Sequence, residues 1–291
     1  MSITTWQEVL SNGVARVPMS LPKFMWCSLY TAFEEFTEFV SSHPEYSTVF
    51  NDSAKAWQAN SGLRLHYSGY FSPYYRSTAG QRGKDNKKIV QLCEPYYRHL
   101  CESQPTLLEI PEFRRLIEGL MAAMYSSFAK YLPFIYAMRD FDPALAEALM
   151  PRDTTPPVVI RLLSYYSDDY YFTNPHVDKN AVTVILDTDE PEDSPCLVFA
   201  PYEVQTAPSL STFAPVSKRE DEALMFLGAS PREAGYGNYI PAIHAVRPLE
   251  IPAMRHAAVF FWLLPGIDLE GFSTSVPFID DLKRARLSLS K

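Results

Sequence analysis

The strongest constraint on this chain lies between residues 157 and 264, where short runs rich in β-branched and aromatic residues follow one another, each bounded by Pro, Gly, Asp or Ser. They are PVVIRLLSYY (157–166), AVTVILDT (181–188), CLVFAP (196–201), ALMFLG (223–228), HAVRPLEI (244–251) and HAAVFFWLL (256–264). Runs of this length and composition read as strands. Six of them in one half of a chain predict a sandwich or barrel.

The half before them has a different period. From Lys23 to Val40, Trp26, Leu29, Tyr30, Phe33, Phe36 and Val40 recur at helical spacing with Glu34, Glu35 and Glu38 between them, which predicts an amphipathic helix after Pro22. Phe113, Leu116, Ile117, Leu120, Met121, Met124 and Phe128 draw a second stripe, predicting a long helix over 111–131 with Pro111 in its first turn. The Ser-, Gly- and Tyr-rich stretch 60–86 reads as a loop leading into a helix near Lys87 to Cys101, and 143–149 as a short helical turn. MPRDTTPP then interrupts any helix. The expected organisation is a mainly helical region, 1–150, packed on a β core, 151–291, in one integrated α+β domain.

Composition narrows the function classes. Residues 1–291 are 47% hydrophobic, enough for a substantial core, and a net charge of -8 supplies no basic face for nucleic acid or an anionic membrane. The N-terminal residues lack the basic start and apolar run of a secretory signal, and no apolar stretch reaches membrane-span length, so a cytoplasmic protein is expected. Four scattered cysteines (Cys27, Cys93, Cys101, Cys196) form no Cys-x-x-Cys pair, which indicates neither a disulfide framework nor a thiolate zinc site. A small-molecule partner fits best.

Within NPHVDKN, His176 and Asp178 stand two residues apart, so on an extended strand both would leave the same face and could converge on one ion. A His-x-acid pair is expected by chance roughly 0.7 times in such a chain. Alone it also describes a strand-end histidine bonded to its own neighbour. Order adds weight: a β segment follows, then His244 at the start of another strand, then Arg255 eleven residues later at the head of a third. Two imidazoles and one carboxylate on one face of an octahedral ion leave three positions open, the facial arrangement of non-haem iron(II) oxygenases. His256 would point away from Arg255 on a regular strand and is expected to be packing.

Segment 158–262 resembles the isopenicillin N synthase-like family of iron(II) and 2-oxoglutarate-dependent dioxygenases. RLLSYYS is similar to that family's strand ending in Asn-Tyr-Tyr-Pro, and PHVDKNAVTVILDT to its His-x-Asp strand and following Thr-containing strand. DEALMFLG is similar to its Gly-terminated strand, and HAVRPLEIPAMRHAAVFFW to its His-Arg-Val, Arg-x-Ser and Phe-containing strand. The resemblance implies a double-stranded β-helix (jelly roll), iron(II) held by His176, Asp178 and His244, and 2-oxoglutarate held at its distal carboxylate by Arg255, with Tyr166 also touching the co-substrate. It implies oxidation of a C–H bond of a small molecule by dioxygen, by hydroxylation, desaturation or ring formation, in secondary or amino-acid metabolism. Asp178 disfavours halogenation.

Ala257 replaces the serine of Arg-x-Ser, Ala245 the arginine after the second histidine, Ser167 the proline, and Ser164 the usual asparagine. An iron oxidase working without 2-oxoglutarate, and a non-catalytic jelly-roll binding protein, are the competing readings. Tyr165, Phe172, Phe199 and Phe261 lie near the motifs and could line a cavity, although a core role is the commoner fate of such aromatics.

Overall fold

A computed structural model describes residues 2–61, 68–72, 74–78, 81–85, 87–150, 156–165, 173–189, 196–200, 213–237, 239–246 and 254–266. In chain order the elements are α1 (Ser2–Asn12), β1 (Val14–Pro18), α2 (Lys23–Ser42), α3 (Pro44–Ser61), β2 (Gly69–Phe71), β3 (Tyr74–Thr78), β4 (Gln81–Asp85) and β5 (Lys87–Cys93). Next come α4 (Glu94–Ser103), α5 (Pro105–Glu109), α6 (Pro111–Ala137) and α7 (Pro143–Leu149). Then follow β6 (Val158–Tyr165), β7 (Thr173–His176), β8 (Val182–Thr188), β9 (Leu197–Phe199), β10 (Ala214–Pro215), β11 (Glu222–Leu227), α8 (Ser230–Glu233), β12 (His244–Val246) and β13 (Arg255–Trp262).

The strands build a seven-stranded sheet in the order β1-β11-β8-β13-β6-β5-β2 and a four-stranded sheet in the order β10-β9-β12-β7, with β3 and β4 forming a separate pair. Sequence-adjacent β7 and β8 lie in different sheets, as do β11 and β12, so the chain alternates between two facing layers. That alternation makes a jelly roll.

The two predicted helices form where their stripes require. Trp26, Leu29, Tyr30, Phe33, Phe36 and Val40 are all buried along α2, and the α6 stripe is buried up to Met124 and continues to Ile135. The two helices approach so closely at Gly119 that a Cβ there would lie 2.8 Å from Leu29 Cδ2. Among the described residues no helix is long and apolar enough to cross a membrane.

The first half is less helical than expected. The predicted helix near 87–101 is a strand followed by a helix, and β5 sits inside the large sheet between β6 and β2. Pro95 explains the division, because it would break the middle of a helix over 87–101 but suits the first turn of one beginning at Glu94. The stretch 60–86, expected as loop, contains β2, β3 and β4. Its tyrosines and threonine favour pairing once a partner strand is present.

The large sheet has two faces with different duties. On β13, Phe260 and Trp262 meet Tyr131 and Phe128 of α6 (ring centroids 6.2 and 5.1 Å apart), so the even-numbered positions face the helices. Arg255, Ala257, Val259 and Phe261 therefore face the interior. Through the register this inner face includes Val159, Arg161, Leu163 and Tyr165 of β6, and Lys87, Ile89, Gln91 and Cys93 of β5. Thr183 on β8 and Phe226 on β11 continue it, and Phe226 touches Phe199 and His244 of the smaller sheet.

On the helix face, the fully buried Asp187 carboxylate accepts hydrogen bonds from Lys23 Nζ (2.9 and 3.0 Å) and Tyr30 OH (2.9 Å), clamping α2 to β8. Removing one partner of a buried charged cluster strands the other, at several kcal/mol. Because Lys23 is partly exposed, Asp187→Ala is expected to lower the unfolding free energy by about 3 kcal/mol. Urea denaturation would read this as a lower midpoint at unchanged slope.

Candidate metal centre

His176 and His244 are direct cross-strand partners on β7 and β12, with ring centroids 4.2 Å apart. β7 ends at His176, so Asp178 does not ride on the same strand as the sequence predicts; it stands just beyond the strand end. There its backbone is held from the other sheet. Ala229 N donates to Asp178 O (2.7 Å), Ser230 N to Asn180 O (3.3 Å) and Gly228 N to Ala181 O (2.9 Å). A Cβ on Gly228 would fall 2.1 Å from Asn180 O and 2.9 Å from Asp178 O. Glycine is therefore required at the end of β11 for the loop that carries the carboxylate to sit where it does.

The result is convergence. His176 Nε2 lies 3.7 Å from Asp178 Oδ1 and His244 Nε2 3.8 Å from Asp178 Oδ2, and one ligand atom from each of the three residues lies within 4.8 Å of the others. Among the described residues this is the single group of His, Cys, Asp and Glu side chains arranged to hold an ion, and the four cysteines, none of them in a disulfide, lie outside it. Two imidazoles and a carboxylate this close together are a donor set that a modest contraction would close on a metal. Its hydrogen bonding suits one. His244 Nδ1 is 3.2 Å from the Ala242 carbonyl, which can only accept, so Nδ1 carries the proton and Nε2 keeps its lone pair for a metal.

A polar relay supports the carboxylate. Asn180 Nδ2 donates to Thr183 Oγ1 (2.9 Å), and Thr183 Oγ1 donates to Asp178 Oδ2 (2.6 Å). Sequence reasoning places Thr183 only within an apolar strand; a lone threonine among Val and Ile is the available signal. Phe226 and Phe199 pack on the His244 ring at 4.8 and 5.8 Å and keep that side apolar.

Arg255 is buried at the head of β13, with its guanidinium carbon 5.1 Å from the centre of the Tyr165 ring. Lys87, also buried, packs on the same ring at 5.9 Å. Tyr166 lies outside the described residues, as does Phe172. Tyr165 shares a face with Arg255, and Ser164 sits on the opposite face in register with His256. Ser164 is therefore not beside Arg255, whereas Ala257 is, and Thr188 of β8 is the register partner of Ala257.

His256 faces away from Arg255 as expected, but it is more than packing. Its Nδ1 is 2.5 Å from Asp189 Oδ2 and its Nε2 3.0 Å from Glu34 Oε1, while its ring stacks on Tyr30. Burial alone would lower its pKa, yet the hydrogen bonds and charges of Asp189 and Glu34 win and raise it from 6.5 to about 9. Burial would likewise raise Glu34, yet His256 and the nearby Lys88 bring it from 4.5 down to about 2.

No family model matches the sequence, and no curated protein matches it. Solved structures do match. The rice dioxygenase for auxin oxidation is similar over 100% of this chain and 90% of its own, at 16% identity and a TM-score of 0.53. A full-length Neurospora crassa protein, crystallised with alpha-KG and 5-formyluracil, matches over 92% and 79% at 11% identity and 0.60. JOX2, crystallised with 2OG, Fe and JA, matches over 90% and 71% at 14% identity and 0.59. The chain shares the oxygenase fold. At these identities the likeness is one of fold.

Two outcomes follow from this geometry. Thr183→Val, which keeps shape and removes the donor to Asp178, is expected to weaken divalent metal binding by about 10- to 100-fold with the circular dichroism spectrum unchanged. The His256 pair stabilises fully below pH 6.5, the unfolded value, and loses that contribution as pH rises through about 9. The difference in unfolding free energy between the native protein and His256→Gln should then be constant between about pH 4.5 and 6.5 and shrink toward 9. Glu34 adds an acid-side loss between 4.5 and about 2.

Proposed function

We propose that this chain is an iron(II)- and 2-oxoglutarate-dependent oxygenase that oxidises a C–H bond of a small molecule with dioxygen. The observation that carries the proposal is the convergence of His176, Asp178 and His244 at one end of the jelly roll, with two of the three paired across adjacent strands. Two imidazoles and a carboxylate on one face are the donor set that leaves positions open for a co-substrate and dioxygen. Solved structures of the same fold carry alpha-KG in one case and 2OG with Fe in another, which supports the same assignment here.

Iron(II) bound by the three residues would supply the coupling of 2-oxoglutarate decarboxylation to substrate oxidation. The chain's own residues do the rest. Arg255 presents a planar fork to the distal carboxylate, which it can grip with two parallel hydrogen bonds. Tyr165 holds that guanidinium in place through its ring, and buried Lys87 adds a second positive charge on the same ring. Lys87 thus supports the charge recognition that a serine in place of Ala257 would otherwise assist. Thr183 and Asn180 orient the Asp178 carboxylate, and Phe199, Phe226 and Phe261 keep the interior dry.

Anaerobic titration with Fe(II) should give one site per chain, lost in His176→Ala and in His244→Ala. Aerobically, the protein with Fe(II) should convert 2-oxoglutarate to succinate. Arg255→Gln should weaken 2-oxoglutarate by about 2–3 kcal/mol, roughly 30- to 150-fold, while leaving iron binding intact. Equal iron binding in the histidine variants would remove the oxygenase reading. Iron binding without succinate under turnover would favour an oxidase that draws all its electrons from its own substrate.

A further inference from the structure

We infer that His256 is a positioning residue for Arg255: a doubly protonated imidazole, strapped to Asp189 and Glu34, holds the head of β13 from the helix side and links binding of 2-oxoglutarate to the proton it carries. The inference rests on the oxygenase reading and adds a regulation of the same site. It uses only the backbone that Arg255 and His256 share, and so holds whatever further groups touch the guanidinium.

Asp189, the residue that follows β8, grips residue 256 at three points. His256 N donates to Asp189 Oδ1 (2.6 Å), the ring Nδ1 lies 2.5 Å from Asp189 Oδ2, and Asp189 N donates to His256 O (3.3 Å). The first of these amides belongs to the peptide group that joins Arg255 to His256, so the grip acts directly on the backbone of the co-substrate anchor. On the other side of the ring, Nε2 lies 3.0 Å from Glu34 Oε1. Ionised carboxylates only accept, so both ring nitrogens must donate, and only the imidazolium carries two N–H groups. A neutral ring turns a lone pair toward one of the two carboxylates and opens that end of the strap.

The strap lies directly behind the row that carries Arg255. Lys88, Ser164 and His256 form one row across the helix face of the sheet, and their chain neighbours Lys87, Tyr165 and Arg255 form a row on the inner face. Glu34 joins the two ends of the helix-side row, bonding His256 on β13 and Lys88 Nζ (3.5 Å) on β5, while Lys88 also donates to Thr37 Oγ1 (2.9 Å). One carboxylate of α2 thus ties together the two strands that flank β6. The charged and titratable groups around the ring are Tyr30 and Glu34 from α2, Asp187 and Asp189 from β8 and its end, with Lys23 on Asp187, and Lys88 from β5; β6 presents the uncharged Ser164. Burial, and then Asp187, raises Tyr30 well above the usual phenol value, and Glu34, which burial alone would raise, is held at about 2. Neither changes charge near neutral or mildly basic pH. His256, which burial alone would lower and its two carboxylates carry to about 9, does.

The test titrates 2-oxoglutarate by calorimetry into the full chain loaded with Mn(II) in place of iron, from about pH 6.5 to 9.5. The native protein's affinity is expected to be level up to about pH 8 and to fall about tenfold as pH rises through about 9. Binding near that pH should take up protons, because a ligand favoured by the protonated form raises its proton affinity in turn. His256→Gln should bind 2-oxoglutarate about tenfold more weakly at pH 7 and stay level across the range, with Mn(II) affinity unchanged. Glu34→Gln, which keeps shape and removes one of the two carboxylates, should move the fall to lower pH, a shift that a packing defect does not produce. Equal affinity of His256→Gln and the native protein at pH 7, a fall through about 9 that persists in His256→Gln, or a fall that Glu34→Gln leaves in place overturns the inference. If His256→Gln loses Mn(II) binding as well, the position of the fall in Glu34→Gln decides. If the native protein binds 2-oxoglutarate with level affinity throughout, only this inference fails; if it binds Mn(II) but no 2-oxoglutarate at any pH, the oxygenase reading fails and takes the inference with it.

Discussion

Strand alternation in β13 is the constraint on which the rest of the molecule depends. Successive residues there must serve opposite partners: Arg255 the interior and His256 the helices, Phe261 the interior and Trp262 α6. Because β13 lies between β8 and β6, its parity sets the parity of both neighbours. A slip of one residue would place Arg255 against α2 and send His256 into the interior. The His256 contacts with Glu34 and Asp189 oppose such a slip, since they satisfy a buried imidazole only in the observed register. The helix-side charges thereby fix where the interior guanidinium stands.

The metal site is held by a different device. Neither sheet alone brings Asp178 to the histidines, because β7 ends before it. The loop from Asp178 to Ala181 is instead bound by backbone amides of Gly228, Ala229 and Ser230, at the end of β11 in the larger sheet. The carboxylate is thus positioned by contacts between layers, and the imidazoles by contacts within one. An absent side chain at Gly228 permits the first, and direct pairing of His176 with His244 provides the second. Backbone contacts of this kind tolerate little adjustment, which fixes the donor set in one geometry.

Much of this is legible in the chain itself. Each of the six strand runs contains a strand, and the residues expected as ligands meet, because periodicity and the order of chemical groups along the chain are local properties. What sequence reasoning misses depends on partners. β5 reads as helix when KKIVQLC is considered alone, and only Pro95 marks the change. Tyr165 reads in sequence only as a possible cavity wall, because which face of a strand turns inward is decided by the strand alongside and not by the strand itself. Asn180 and Thr183 escape notice as a pair because their value lies in a hydrogen bond across a turn. His256 reads as packing because its carboxylate partners are 67 and 222 residues away.

Separation of charge across the large sheet links these points to chemistry. Lys87 and Arg255 flank Tyr165 from the two strands beside β6, so their backbones stand about 10 Å apart. At an effective dielectric constant of about 20, two unit charges at that distance repel by about 1.7 kcal/mol. Arg161 adds a third cation on the same face. Among the described residues, the carboxylates of Glu34 and Asp187 are engaged on the opposite face, locking α2 to β8 and β13. Negative charge is thus placed where it fastens the scaffold, on the face of the sheet turned to the helices.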